Sequence, residues 1–192
     1  MPEEMIDLLL LDGTPLGRAK PKSEVHRDGD LHRTAHLWLV TPDGRVLLQL
    51  RASTKVNHPS LWDVSVAGHV DAGETAIDAA VREAREELGI EIAAGELRHV
   101  GTIREHWVIE ERDYVDNEIQ EVFLVRRDVD LESLALQTEE VDDVALVSFD
   151  EFRARVARRD ATMVAHWEEY ERVVAVVEGG VLPWVLGAHA PS

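Results

Sequence analysis

The sequence predicts an α/β fold in one domain that spans residues 1–192. Short apolar runs that end at glycine, proline or aspartate are typical of β-strands, and two such runs flank Pro42-Asp43-Gly44 as in a hairpin. Longer stretches at 75–88 and 149–178 repeat apolar residues at helical intervals. A chain of 192 residues is long enough for one domain with a substantial core.

The predicted elements follow one another without a repeat or a linker. An N-terminal hairpin is predicted at 5–20, because the apolar run at 5–10 ends at Asp12-Gly13. Further strands are predicted at 37–40, 46–50, within 60–70, and at 100–103, 121–125 and 144–147. Helices are predicted at 75–88, 149–159 and 162–178. Glycine and proline residues from Gly179 onward predict an irregular tail.

The composition limits the kinds of protein and partner. Apolar residues make up 45% of the chain and charged residues 30%, as in globular proteins. The absence of cysteine excludes disulfides, thiolate metal sites and a cysteine nucleophile. The formal net charge of −18 argues against nucleic acids and anionic membranes as partners, because both favour basic surfaces. Since no segment resembles a signal peptide or a membrane span, we expect a cytoplasmic protein.

The stretch GHVDAGETAIDAAVREAREELGI at residues 68–90 carries the strongest signal. Thr75 is the predicted N-cap of a helix, with Asp78 in capping-box position, and Gly89 ends that helix. The apolar stripe predicted to face the core comprises Ile77, Ala80, Val81, Ala84 and Leu88. Gly68 and Gly73 precede the helix, where glycine lets backbone carbonyl groups approach other atoms closely.

Glu83, Glu86 and Glu87 cluster on another face of this helix, although like charges at helical intervals repel. Arg82 and Arg85 are expected to lie off the cluster, so that pairing with them does not explain it. A solvated acidic face is the ordinary interpretation of such a helix. Several oxygen atoms beside a glycine-containing loop favour instead a divalent cation such as Mg²⁺, which keeps water ligands that a phosphate can replace.

The residues of this stretch follow the spacing G-x5-E-x7-R-E-x-x-E-E-x-G-I, filled by Gly68, Glu74, Arg82, Glu83, Glu86, Glu87, Gly89 and Ile90. The spacing is similar to the signature of the Nudix hydrolases, with every fixed position occupied. The resemblance implies a Nudix α/β/α sandwich with a mixed central sheet and a Nudix box at 68–90. It also implies cleavage of a nucleoside diphosphate linked to another group, with Mg²⁺ or Mn²⁺ as the cofactor.

The same resemblance implies roles for individual residues. The implied metal ligands are Glu83, Glu86, Glu87 and the backbone carbonyl of Gly68. Arg82 would orient one of these carboxylates, and Glu74 would brace the loop before the helix. Gly73 and Gly89 are implied to be structural.

A wider segment, from about residue 5 to residue 125, resembles one Nudix branch, the isopentenyl-diphosphate isomerases. The similar pieces are KSEVHRDGDLHR at 22–33, LRASTKVNHPSLWDVSVAGH at 50–69 and VDNEIQEVF at 115–123. The implied ligands of a second metal site are His26, His32, His69, Asp116 and Glu118. The implied diphosphate contacts are Lys22, Arg51 and Lys55. Glu118 is favoured over Asp116 as a further catalytic acid.

The chain departs from the isomerases at one position that matters for chemistry. Ala67 stands where the isomerases carry a catalytic cysteine, so one partner for proton transfer across the alkene is missing. The complete Nudix box favours instead Mg²⁺-dependent hydrolysis of a small anionic diphosphate. The alternatives are isomerase activity on isopentenyl diphosphate and a non-catalytic module that senses a nucleotide.

Several smaller points stay open at this stage. His26 and His32 flank a polar turn, and exposed loop histidines are the alternative to metal ligands. Trp62 lies nearest the motif and is the tryptophan predicted to be worth testing for substrate contact. Residues 105–118 are expected to contribute to the choice of substrate. Both a monomer and a homodimer are compatible with the sequence.

Overall fold

A computed structural model describes residues 3–179 of the chain. The strands are β1 Met5–Leu9, β2 Pro15–Pro21, β3 His32–Val40, β4 Arg45–Arg51, β5 Trp62–Asp63, β6 Val66–His69, β7 Arg98–Ile109, β8 Tyr114–Arg126 and β9 Val141–Ser148. The α-helices are α1 Lys22–Asp28, α2 Ala76–Leu88, α3 Phe149–Ala157 and α4 Trp167–Glu178. Short 3-10 turns lie at Ala94–Glu96, Glu110–Arg112 and Leu131–Ser133.

The central sheet is mixed, as predicted. Its seven strands include the path β5-β4-β3-β8-β7, and β6 and β9 pair with β3 and β4 respectively. Strands β3 and β8 are parallel, whereas the other pairs in this sheet are antiparallel. Strands β1 and β2 pair with each other in a separate two-stranded sheet, within the region predicted as an N-terminal hairpin.

Strands β3 and β4 separate soon after the turn that joins them. They pair only at Val40 and Val46, whereas residues 34–37 of β3 pair with β6. Strand β6 therefore lies beside the first part of β3, and β4 lies beside its end. Because β4 and β6 share one side of β3 without pairing to each other, the sheet opens there into a cleft.

Apolar layers on both sides of the sheet make the fold an α/β/α sandwich. Alternate residues of β3 point to opposite sides, which is the two-residue period of a strand. Ala35 and Leu37 pack towards α2, together with Leu88 of that helix. Trp38 packs on the other side, against Phe152 of α3 and residues of α4. The valines of α4, including Val173, Val174 and Val177, face this second layer. The predicted α/β sandwich with a mixed sheet is confirmed.

Helix α2 begins and ends at the predicted caps. The Thr75 hydroxyl oxygen accepts a hydrogen bond from the Asp78 backbone N–H at 3.2 Å, and Gly89 adopts a left-handed φ of +70°. One member of the predicted apolar stripe is wrong, because Ile77 is 40% exposed and Ala79 is buried instead. Ile77 lies about 60° from Ala80 around the helix axis, at the edge of the stripe.

Other elements differ more from their prediction. Helix α1 was not predicted, because its sequence KSEVHRD lacks an apolar period and buries only Val25 and His26. Strands β7 and β8 run for 12 and 13 residues, far beyond the predicted segments. Their additional residues are mostly polar, so an apolar pattern reveals only the part that packs in the core. The helix predicted at 162–178 begins at Trp167.

One sequence prediction, the irregular tail beyond Gly179, falls outside the described part of the chain. Within residues 3–179, none of the helices combines the length and the apolar character that crossing a membrane requires.

Replacing Gly89 by alanine is expected to destabilise the fold by about 2–3 kcal/mol. A left-handed φ disfavours any side chain by about 1–2 kcal/mol, and a Cβ atom here would lie 2.9 Å from the Ala135 Cβ atom. Gly44→Ala is the matched control, since Gly44 has a φ of +86° but no atom within 4 Å of an added Cβ. Urea unfolding should show a larger loss for Gly89→Ala. Equal losses for the two variants would contradict this packing argument.

Candidate active site

A cleft of about 450 Å³ opens where β4 and β6 separate. Side chains from α1, α2, β3, β7 and β8 line it, together with the segment between β4 and β5 and the loop before β9. All residues singled out as metal ligands or diphosphate contacts line this cleft, except His32, which lies directly behind it against His69. The structure therefore brings together residues that are far apart in the sequence.

The three glutamates of α2 reach the cleft at different depths. Glu87 is only 2% exposed, whereas the side chain of Glu86 is 44% exposed. Glu83 lies against the backbone of Gly68, where an added Cβ atom would lie 2.1 Å from the Glu83 carboxyl carbon. Only glycine at position 68 leaves room for this carboxylate. The predicted close approach of the loop and the helix is present.

Arg82 lies within the carboxylate cluster, so its predicted position away from the cluster is wrong. Its Nη1 atom donates to Glu83 at 2.7 Å and to Glu86 at 3.1 Å. Its Nε and Nη2 atoms donate to Glu74 at 3.1 and 3.0 Å, and Nη2 also donates to the His69 carbonyl. The long side chain reaches Glu74 as well as Glu83 and Glu86. The position of Arg82 around the helix axis does not indicate these contacts. Arg82 thus holds two carboxylates and the preceding loop in place.

The loop before α2 is fixed at further points. Glu74 accepts a hydrogen bond from the Asp71 backbone N–H at 3.1 Å. Gly73 has a φ of +82° and donates its N–H to the Asp7 carboxylate at 2.8 Å. These contacts tie the loop to β1 as well as to α2. The bracing role predicted for Glu74 agrees with this geometry.

The buried carboxylates of α2 favour a cation nearby. Burial, which outweighs the effect of Arg82, raises the pKa of Glu83 to about 7. Burial and the neighbouring Glu83 raise the pKa of Glu87 well above its usual range. Both groups would ionise more readily beside a positive charge. Oxygen ligands of this kind suit Mg²⁺ or Mn²⁺, so the residues fit the cofactor that the motif implies.

A second group of potential ligands lies on the other side of the cleft. One ring nitrogen from each of His26, His32 and His69 lies within 4.8 Å of the others. Asp116 Oδ1 lies 3.1 Å from His26 Nδ1, and Glu118 Oε1 lies 3.6 Å from His32 Nε2. We call these five residues the histidine cluster. Both His26 and His32 are buried, so the alternative of exposed loop histidines is wrong. His26 is one of the two buried residues of the unpredicted helix α1.

Two atoms of the histidine cluster have unmet bonding capacity. His32 Nε2 and Asp116 Oδ1 are buried, and their close contacts with Glu118 and His26 lack hydrogen-bond geometry, so neither atom makes a hydrogen bond within residues 3–179. Buried polar atoms are nearly always paired, so such atoms call for a partner. Three imidazoles with two carboxylates form a reasonable donor set for a divalent cation. The observed atoms therefore fit a metal at this position.

The predicted diphosphate contacts line the cleft but already have acidic or amide partners. Their partners are Glu4 for Lys22, Asp63 and Asn57 for Arg51, and Glu140 for Lys55. Arg51 is the most buried of the three. Lys22 and Lys55 are more accessible, and either lysine could exchange its carboxylate for a phosphate oxygen at little cost.

Sequence reasoning missed His36 and His166 of the cleft, and it named the segment 105–118 without singling out its cleft residues Glu105 and Trp107. Among the tryptophans within residues 3–179, Trp107 lines the cleft, whereas Trp62 packs against the apolar layer under α3 and α4. Residues 34 and 36 of β3, and 105 and 107 of β7, alternate along their strands towards the cleft. This period of polar residues is the signal that could have identified them.

Comparisons with known proteins agree with the geometry of this site. A family model of the NUDIX domain matches residues 30–167. The chain belongs to the Nudix family. Nudix membership, together with relatives named Nudix hydrolases, indicates a hydrolase that acts on pyrophosphate bonds.

Two relatives and one solved structure illustrate this Nudix chain's similarities. Nudix hydrolase 3 of Arabidopsis thaliana is 37% identical over 169 residues, which cover 86% of this chain but 22% of that protein. Isopentenyl-diphosphate Delta-isomerase of Streptomyces avermitilis is 31% identical over 156 residues, covering 80% of this chain and 76% of the isomerase. A crystal structure of a Deinococcus radiodurans protein gives a TM-score of 0.68 at 23% identity, covering 88% of this chain and 98% of that one.

Because His166 is buried beside two carboxylates, we expect the free energy of unfolding to depend on pH. Burial alone would lower the pKa of His166, but Asp63 and Glu105 raise it to about 9. Because the folded pKa exceeds the unfolded value of about 6.5, this stabilisation is full below pH 6.5 and is lost as the pH rises through 9. The loss should be roughly 3 kcal/mol, since one pKa unit corresponds to about 1.4 kcal/mol.

Urea unfolding of wild type and His166→Asn between pH 6 and 10 tests this expectation. The stability difference between the two proteins should shrink as the pH rises through 9, since the variant lacks the titrating group. A difference that stays constant over this range would show that His166 is not a buried imidazolium.

Proposed function

We propose that the protein hydrolyses a diphosphate linkage in a nucleoside diphosphate-X or a related organic diphosphate, with Mg²⁺ as cofactor. The observation that supports this most directly is the presence of Glu83, Glu86 and Glu87 in one cleft with the histidine cluster. A divalent cation bound there would neutralise phosphate charge and lower the pKa of a bound water molecule.

In this proposal, the carboxylates of α2 and the Gly68 carbonyl hold the catalytic cation. The histidine cluster holds a further cation and contributes Glu118 as the additional catalytic carboxylate. Burial favours protonated Glu118, but His32 and the other histidines lower its pKa well below the usual range. Glu118 would therefore be an ionised ligand or base near neutral pH.

The basic residues of the cleft would attract and position the substrate. On a chain with a formal net charge of −18, a diphosphate is repelled over most of the surface. Lys22 and Lys55 offer local positive charge at the cleft, and Arg82 keeps two carboxylates oriented. These residues would reduce repulsion where the phosphates bind.

Isomerisation of isopentenyl diphosphate is a second candidate. The histidine cluster and the similarity to named isomerases support it. Ala67 opposes it, because a methyl group lines the cleft where the isomerases carry a thiol. A non-catalytic nucleotide sensor would have no need for three glutamates around a cation, so we rank it last.

Glu87→Gln is expected to lower hydrolytic turnover by at least about 100-fold, because the amide weakens a buried metal ligand without changing its size. The assay measures phosphate release with Mg²⁺ and a coupled phosphatase. Its substrates are nucleoside diphosphate sugars, dinucleotides, nucleoside di- and triphosphates, coenzyme A and isopentenyl diphosphate. The buried amide should also leave the melting temperature close to that of wild type.

Glu91→Gln is the matched control, because Glu91 is exposed and does not line the cleft. This control should hydrolyse the substrate at the wild-type rate. Equal activity of Glu87→Gln and wild type would contradict the proposed metal chemistry. Isomerisation of isopentenyl diphosphate without hydrolysis of any compound would favour the second candidate.

A further inference from the structure

A polar wall borders the histidine cluster on the side of the cleft formed by β7 and α4. It consists of Glu105, His36 and His166. Glu105 on β7 is paired directly with Glu118 on β8, and the Gln120 amide donates to both carboxylates at 3.2 Å. The wall is therefore one hydrogen-bonded residue away from the proposed metal ligands. A group attached to a diphosphate at those ligands would reach it.

Glu105 presents one free carboxylate oxygen. Its Oε2 atom accepts hydrogen bonds from His166 Nδ1 at 2.5 Å, Trp107 Nε1 at 2.9 Å and Gln120 Nε2 at 3.2 Å. Its Oε1 atom accepts no hydrogen bond from residues 3–179, and the side chain is 12% exposed to the cleft. The three donors fix the carboxylate, so that Oε1 is a preoriented acceptor.

His36 presents a second free atom. Its Nδ1 atom lies 2.8 Å from the buried Glu169 carboxylate, which is itself fixed by the Trp38 indole N–H at 2.6 Å. Its Nε2 atom has no hydrogen-bond partner in the described part of the chain, and the residue lines the cleft. The polar wall therefore offers a ligand two polar atoms held by buried partners.

An isoprenyl chain is a poor match for this wall. Covering the free atoms with hydrocarbon would remove their contact with water and return no hydrogen bond. A site built to pair with a polar group discriminates strongly against an analogue that lacks it, because the protein atoms stay unpaired. Thus the part of the cleft beside Ala67 differs in chemistry from a pocket for an alkene.

We propose that Glu105 and His36 form a specificity subsite that selects organic diphosphates whose second group carries O–H or N–H donors, and rejects isoprenyl diphosphates. This assignment rests on the proposed function, since it takes a diphosphate to occupy the adjacent metal sites. Glu105 Oε1 accepts the hydrogen bond from the substrate, and His36 Nε2 contacts the same polar group. His166 and Trp107 are positioning residues for Glu105.

A matched pair of ligands tests the subsite. One is isopentenyl diphosphate, and the other is an alkyl diphosphate of the same chain length that carries two hydroxyl groups. Calorimetric titration would use Glu87→Gln protein with Mg²⁺, which prevents turnover. We expect the hydroxylated ligand to bind at least about 10-fold more tightly, the effect of one charge-assisted hydrogen bond.

Adding Glu105→Gln should reduce this preference about 10-fold, because an amide N–H₂ replaces the free oxygen. The affinity for isopentenyl diphosphate should stay nearly unchanged. Glu121→Gln is the matched control, since Glu121 is on the same sheet but does not line the cleft. It should retain the full preference.

Equal or tighter binding of isopentenyl diphosphate would overturn the subsite, whether or not the Glu105→Gln protein folds. A preference that survives Glu105→Gln in a folded protein would overturn the role of Glu105. Hydrolysis by wild type is measured separately. Absence of hydrolysis would refute the proposed function, whereas hydrolysis without the ligand preference would refute only the subsite.

Discussion

Compensation of buried negative charge is the constraint on which the cleft depends. Glu87 is almost inaccessible to water, and burial favours the protonated form of its carboxyl group unless a cation lies nearby. Arg82 supplies one fixed positive charge, but it donates its hydrogen bonds to Glu83 and Glu86 and not to Glu87. The imidazoles of the histidine cluster offer nitrogen ligands, but they carry positive charge only when they are protonated. The carboxylates of the cleft thus carry more negative charge than the nearby positive groups compensate. The same excess of negative charge would attract a divalent metal ion.

The fold creates this environment by separating β3 from β4. Strand β6 fills the position beside β3, which brings Gly68 against Glu83 and carries His69 towards the neighbouring histidines. The parallel pairing of β3 with β8 sets His32 opposite Glu118, and β7 adds Glu105 in the next strand. Helix α2 and the sheet thus both supply the cleft residues that we propose as metal ligands. The chemistry of the cleft follows from strand register as much as from the Nudix box.

How far the sequence predicted this arrangement depends on the distance between contacting residues. The glutamates of α2 were identifiable because their spacing within one capped helix fixes their common face. The metal-like grouping of His26 with Asp116 was accessible only through family resemblance, since 90 positions separate them in the printed sequence. The segment 105–118 was expected to affect substrate choice, but the sequence does not reveal the pairing of Glu105 with His166, because strand register and the position of α4 bring these two residues together. The prediction that Arg82 lies away from the carboxylate cluster was wrong, because its long side chain reaches carboxylates that its position around the helix axis does not indicate.

The central claim is that the cleft binds divalent cations at the carboxylates of α2 and at the histidine cluster. Diffraction from crystals grown with Mn²⁺, recorded at the manganese absorption edge, would test it most directly. We predict anomalous peaks within about 2–2.5 Å of carboxylate oxygens of Glu86 or Glu87 and of ring nitrogens of the histidine cluster. Absence of a peak at both positions, in crystals with the cleft open to solvent, would contradict the account.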